Sequence, residues 1–316
     1  MARGAVALIA LVLLVYRPVW TAAWVFEDTE TMNYTTRTVT TATWQVVRSP
    51  LGAHMLSLSL SFLLAALLLL FARRLGVRGI GLWLIAVIQL LHPINVESVA
   101  YAASRGELLA AIFILGACLL ATREWRGHIV IGIILCLLGA MFSKESGLVG
   151  IILVPAVVVF LSPRSFTAWL PVALAVWLVS LSMWNFDDIR AIANYGTTDY
   201  ASTVNVSWFE WAELQIAATG YWLTSIITLN GFTPDPDIDL ISITGRWLSL
   251  AALVGIAIVS WLARRRAPIT SFGLAWFLLA LFPRFIVQEP QGYLTAHHML
   301  TPDLGLWLAV GGMRRI

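Results

Sequence analysis

From the N-terminus onward, long apolar runs alternate with short polar breaks, a pattern that predicts a bundle of membrane-crossing helices. A span needs about 17–25 predominantly apolar residues. Ala5–Trp20 is the first such run, and others lie near 53–71, 79–92, 107–122, 128–143, 147–162, 166–183, 246–263, 268–285 and 299–313. The expectation is ten spans, several of them short, in one domain over 1–316. Two polar stretches interrupt the rhythm, a Thr-rich first outer loop over 24–52 and a second outer loop over 184–245. Arg3, the run Ala5–Tyr16 and the small residues Thr21–Ala23 imitate a secretory signal. The run is nevertheless taken as a retained first span.

Basic residues orient the bundle. Arg73, Arg74, Arg78, Arg123, Arg126, Arg164, Arg264–Arg266, Arg314 and Arg315 all fall on one side if ten spans leave both termini cytoplasmic, as the positive-inside rule asks. Counting Trp211–Leu229 as a further span would move Arg264–Arg266 outside. That stretch therefore reads as an interfacial or re-entrant helix, with Tyr221 and Trp222 in the headgroup zone. Acids then gather outside: Glu27, Asp28, Glu30, Glu97, Glu107, Asp187, Asp188, Asp199, Asp235, Asp237 and Asp239, alongside His92, His297 and His298. Trp20, Trp24, Trp44, Trp184, Trp208 and Trp211 fit an aromatic belt at the outer interface.

Composition agrees with the pattern. The 316 residues are 59% hydrophobic and 12% charged, with mean hydropathy +0.85, against roughly 25% charged in soluble domains. The net charge of +3 and pI near 9.1 call for no nucleic-acid partner, because cytoplasmic loops collect Lys and Arg anyway. Cys118 and Cys136 lie within apolar runs and indicate neither a disulfide framework nor a metal site. No GxGxxG, GxxxxGKS/T, HExxH or GxSxG motif is present. His297-His298 could ligate a metal, but neighbouring side chains on a helix diverge by about 100°, so no metal ligand is assigned and the need for a divalent metal stays open. Transporters tend to repeat themselves in matching halves, and no such symmetry is visible here.

The densest polar chemistry is His92–Glu107, HPINVESVAYAASRGE, between the apolar runs Ile80–Leu91 and Leu108–Ala121. Charges so near a bilayer boundary are costly and often functional. Pro93 disfavours helical geometry in His92. The following VESVAYAASRGELL predicts a restarted helix with Glu97 in its first turn, where the helix dipole favours a carboxylate. The product is a polar elbow at the outer face; a solvated loop between two spans is the plainer alternative. Lys144-Glu145 forms another outer elbow.

These residues carry a family likeness. The chain resembles the GT-C membrane glycosyltransferases, nearest to the O-mannosyltransferases that join such a module to tetratricopeptide repeats. The match runs from Tyr16 to Lys144 and more faintly to Ala309. The family's Tyr, aromatic and acidic pair are matched by Tyr16, Phe26, Glu27 and Asp28. Its Arg-Pro-Leu leading to Pro-x-x-x-His is matched by Arg37-Thr38-Val39, Pro50 and His54. Its HPxxxExVxxxxxRxD/E is matched by His92, Pro93, Glu97, Val99, Arg105 and Glu107, and its Ser-Lys-Glu by Ser143, Lys144 and Glu145. The chain departs from the family in Glu27, an Asp there, and in Ala296-His297-His298, where the family has an acid, Arg and Tyr. The repeats do not appear in the sequence.

The resemblance implies an all-α, GT-C-type bundle of about ten transmembrane helices with outer-face loops and an interfacial helix. It implies transfer of a sugar, mannose first, with inversion, from a polyprenyl- or dolichyl-phosphate donor to a hydroxyl of a protein or glycan on the non-cytoplasmic face. Asp28, or Glu27, would be the general base, with Arg105, Lys144 and His297 around the donor phosphate. His92, Glu97, Glu107, Glu145, His54 and Asp235 would support them. The expected setting is a bacterial cytoplasmic membrane rather than that of the endoplasmic reticulum, with membrane lipid around the spans. Two other functions stay open: a non-catalytic subunit that keeps the fold and packs against other membrane subunits, which the altered late motif favours, and a transporter or flippase.

Overall fold

A computed structural model describes residues 2–23, 37–124, 126–161, 207–232, 243–286 and 295–313, and the regular structure among them is entirely helical. In order, α1 is Ala2–Val15, α2 Thr38–Val46, α3 Pro50–Arg74, α4 Ile80–Leu91, α5 Val96–Ala100, α6 Arg105–Ala121 and α7 Gly127–Met141. There follow α8 Gly150–Leu161, α9 Trp208–Thr228, α10 Ile243–Ala263, α11 Pro268–Ala280, α12 Phe282–Ile286 and α13 Leu300–Gly312. Turns of 3₁₀ helix at Pro93–Asn95, Ala102–Ser104, Glu145–Val149 and Ala296–Met299 lie at the joints between helices that carry His92, Glu97, Lys144 and His297.

Local chemistry sets the helix ends. α3 starts where Ser49 accepts a hydrogen bond from the Gly52 amide and Pro50 takes the first helical position. It ends on Arg73 and Arg74, cations that complement the dipole. α4 stops at His92 because Pro93 follows, and the chain turns by 49° between Ile80–Leu91 and Pro93–Ala100.

α6 runs through the middle, with Leu108, Ala110, Ala111, Ile114, Leu115 and Cys118 buried. A helix apolar all round belongs inside a bundle or a membrane. α11 and α13 approach most closely. A Cβ on Gly273 would strike the Gly305 carbonyl and the Ala309 backbone, and one on Gly305 would strike Gly273. Small residues at this crossing let the two backbones touch, as membrane helix pairs commonly do. Phe71 packs on Trp276 at 5.9 Å between ring centres, joining α3 to that pair. α10 lies at the edge, with Trp247, Leu248, Trp261 and Leu262 exposed. Such an apolar outer surface suits hydrocarbon rather than water.

The ten-span expectation is corrected. Among the described residues four helices are long and apolar enough to cross a membrane: Pro50–Arg74, Ala102–Ala121, Thr244–Ala263 and Pro268–Phe285. The bent pair Ile80–Leu91 and Pro93–Ala100 makes a fifth if it counts as one span. Gly4–Val15, Gly127–Met141 and Glu145–Leu161 are apolar but shorter. At 1.5 Å per residue, a 15-residue helix such as α7 reaches about 22 Å, short of the roughly 30 Å hydrocarbon core. The run at 166–183 lies outside the described residues.

Two local expectations are corrected as well. α9 is a continuous 21-residue helix without a re-entrant break, and it is not among the helices long and apolar enough to cross a membrane, so the non-spanning reading of this stretch stands. Its Trp222 is fully buried, between Tyr221 and Phe232, instead of lying in a headgroup zone. Of the tryptophans assigned to an outer belt, Trp20 and Trp208 are exposed. Trp44 is buried beneath Arg105, and Trp211 is buried, its indole N–H donating to the Arg284 carbonyl. Trp24 and Trp184 lie outside the described residues.

Candidate functional site

The elbow does not restart as one helix. After α5 the backbone becomes extended at Tyr101 and re-enters through the Ala102–Ser104 turn into α6. This second break separates the three charged residues. Glu97 stays in the first turn of α5, as expected, while Arg105 and Glu107 open α6.

Glu97 reaches the far end of the chain. It accepts the amide N–H of Ala296 at 2.8 Å and that of His297 at 3.3 Å. The His297 ring donates Nδ1–H to its Oε1 at 2.6 Å. One carboxylate thus caps the 3₁₀ turn before α13 and orients its imidazole. Glu107, 2% exposed, meets Lys144 Nζ at 3.1 Å, His298 Nδ1 at 3.1 Å and the Ser146 hydroxyl at 2.7 Å. The two imidazoles lie 4.3 Å apart between ring centres and divide between the two glutamates. Tyr101 lies 6.2 Å from His297 on the same side.

Burial, and then electrostatic repulsion from the neighbouring His298 and Lys144, push the His297 pKa down to about 4, against the partial support of Glu97. The ring is therefore neutral near pH 7. With Nδ1–H committed to Glu97, Nε2 is left as an acceptor, and no hydrogen bond among the described residues engages it. A neutral imidazole oriented by a carboxylate can accept a proton, and once charged it can hold an anion.

A second group ties α2 and the residue before it to this cluster. Arg37 holds Glu145 with Nε at 3.0 and 3.1 Å and Nη2 at 2.9 Å. Thr40 donates to the Ser143 carbonyl at 2.7 Å, and the Val39 amide donates to Phe142 at 3.0 Å. α2 is thereby fastened beside Lys144.

Arg105 sits apart from both glutamates. It is fully buried and donates to Thr43 Oγ1 at 3.1 Å, Ala53 O at 3.3 Å and Ser57 Oγ at 3.5 Å. Its guanidinium lies 4.3 Å over the Trp44 ring, a cation–π contact strengthened by the dry setting. His54, beside Ala53 and Ser57 on α3, is buried with neither ring nitrogen hydrogen-bonded among the described residues. His92 points elsewhere. Its Nδ1 accepts the Ile94 amide at 3.2 Å, which leaves Nε2–H to donate to the Ile226 carbonyl on α9 at 3.2 Å. Its ring also lies 5.3 Å from that of Trp307.

Of the residues singled out by sequence, Glu97, Glu107, Lys144 and His297 come together, with Glu145 alongside. Arg105 with His54, and His92, occupy separate surroundings. Glu27, Asp28 and Asp235 lie outside the described residues. Sequence reasoning passed over His298 and Ser146 as partners of Glu107, and Arg37 as the partner of Glu145. It also passed over Asp303, which is fully buried in α13 with both carboxylate oxygens unpartnered among the described residues. An ionisable residue inside the apolar run LTPDLGLWLAV was the available signal for Asp303. Among the described residues no three His, Cys, Asp or Glu side chains assemble into a metal site.

These features define a chain whose described residues are helical, with helices long and apolar enough to cross a membrane and a buried carboxylate–imidazole–ammonium cluster at the N-terminal end of its central helix. Compared with protein-family models, curated proteins and solved structures, the chain matches none.

Proposed function

We propose that the chain is an inverting GT-C-type glycosyltransferase. It would move a sugar, mannose first, from a polyprenyl- or dolichyl-phosphate donor to a hydroxyl of a protein or glycan acceptor at the non-cytoplasmic face. The observation that supports this most is the meeting of three motifs remote from one another in sequence. The elbow carboxylate Glu107 pairs with Lys144 of the Ser-Lys-Glu motif, and His297-His298 of the late motif joins them.

In this reading the acceptor oxygen attacks the anomeric carbon, and the bond from that carbon to the phosphate oxygen breaks with its electrons leaving on phosphate. The acceptor proton passes to Asp28 or Glu27. Lys144 offsets the charge on the departing phosphate. His297 adds to that only after taking up a proton, which a bound anion favours. While neutral, its Nε2 is a further proton acceptor.

A non-catalytic membrane subunit is the second reading. It is favoured by Arg105, the expected phosphate clamp, being enclosed by Trp44, Thr43, Ala53 and Ser57. Transfer of labelled mannose from polyprenyl-phosphate-mannose by the reconstituted full chain separates the two. A transferase shows turnover that falls about 10²–10⁴-fold in Asp28→Asn or Glu27→Gln and also falls in Lys144→Gln. No turnover in wild type, with no thermal stabilisation by the donor, establishes the second reading instead.

A further inference from the structure

The C-terminal third of α6, at the opposite end of that helix from the carboxylate cluster, borders a groove of about 340 Å³ shared with α3 and α7. Leu70, Leu119 and Leu120 wall it, and Gly116 keeps its floor open. A side chain on Gly116 would press on Cys136 of α7, which also lines the groove. Arg74 and Arg123 stand in the same lining, one just inside the end of α3 and the other just past the end of α6.

Both arginines are exposed, and neither makes an ion pair or side-chain hydrogen bond among the described residues. The nearest acid in sequence, Glu124, is taken by Arg126 at 3.1 Å. Arg73 and Arg78 add positive charge at the same end. An open apolar trough with two uncompensated guanidiniums matches one kind of occupant: a molecule with an acyl chain and an anionic head. At a basic helix end in a bilayer, that molecule is a phospholipid.

We infer that the groove between α3, α6 and α7 is a binding site for an anionic phospholipid, whose phosphate is held by Arg74 and Arg123 and whose acyl chain lies along Leu70, Leu119 and Leu120. The guanidinium fork suits phosphate oxygens, and the positive-inside bias places this end in the cytoplasmic leaflet, where anionic lipid is supplied. The site is independent of the chemistry proposed for the other end of α6.

Native mass spectrometry of the full chain, titrated with phosphatidylglycerol, phosphatidylcholine or inorganic phosphate, tests this. Wild type should retain one phosphatidylglycerol in preference to phosphatidylcholine. Affinity should fall about fivefold in Arg74→Gln and about thirtyfold in Arg74→Gln/Arg123→Gln, and stay unchanged in Arg266→Gln. Circular dichroism of the double variant should retain the wild-type helix content, because both arginines are on the surface. Equal retention of the two lipids, wild-type affinity in a folded double variant, or displacement of the lipid by equimolar inorganic phosphate would each overturn the site. The last would identify a bare anion site in its place.

Discussion

Lys144 Nζ lies 3.1 Å from Glu107 Oε1, with 10% and 2% of the two side chains exposed, and this ion pair fastens the first turn of α6 to the turn between α7 and α8. Ser146 and His298 occupy further acceptor sites on the same carboxylate. Removing one member of a buried pair strands the other charge, at a cost of about 3–5 kcal/mol. Glu107→Gln and Lys144→Met should each lower the thermal midpoint in detergent sharply. The double variant should lose much less than the sum, because no lone charge remains. Additive losses would show that the two side chains are not coupled.

Stability should depend on pH through His297. Its pKa is about 4 in the folded chain, below the usual 6.5 that applies once the chain unfolds. The unfolded chain therefore takes up this proton first as pH falls. The stability contributed by the neutral ring is complete above about 6.5, is lost at up to about 1.4 kcal/mol per pH unit toward 4, and is level below that. Thermal midpoints of His297→Gln should be flatter than wild type across that window. Parallel profiles would mean that His297 takes up protons equally in both states.

Arg105→Lys should destabilise the protein whether or not a donor is present. A lysine cannot reproduce the fork that reaches Thr43, Ala53 and Ser57 while stacking on Trp44. A loss of about 2 kcal/mol is expected from the stranded carbonyl and hydroxyls and the poorer stack. A full-strength fold with impaired donor use would return Arg105 to the role of phosphate clamp.

If α3 crosses the bilayer, its two ends lie on opposite sides. With Cys118 and Cys136 replaced, single cysteines at Arg48 and Arg78, both exposed, should label from opposite faces. A third at Arg265, in the basic turn after α10, should label with Arg78. Labelling of Arg48 and Arg78 from one face would remove α3 from the set of spans.

Much of the helix layout was legible in advance. The run at 53–71 lies inside α3, which Ser49, Pro50 and the closing arginines bound. The stop at His92 and the return at Glu97 follow from Pro93 and the helix dipole. Span number was less legible. Hydropathy marks apolar residues but not where a helix breaks, and α7, α8 and α13 are shorter than a bilayer. Trp222 shows the same gap: amphipathic aromatic character suits an interface, yet packing against Tyr221 and Phe232 buries it.

The local patterns of the chain, which act over a few residues, determined that it is helical, apolar and bent at His92-Pro93. Only the tertiary structure decided which charges meet. Glu97 and Glu107 look like partners for Arg105 by proximity in sequence. Instead Glu97 takes amides about 200 positions away, Glu107 takes Lys144 and His298, and Arg105 turns to α2 and α3. A buried charge takes whatever compensation helix packing brings within hydrogen-bond reach, and that packing depends on side chains remote from it along the chain.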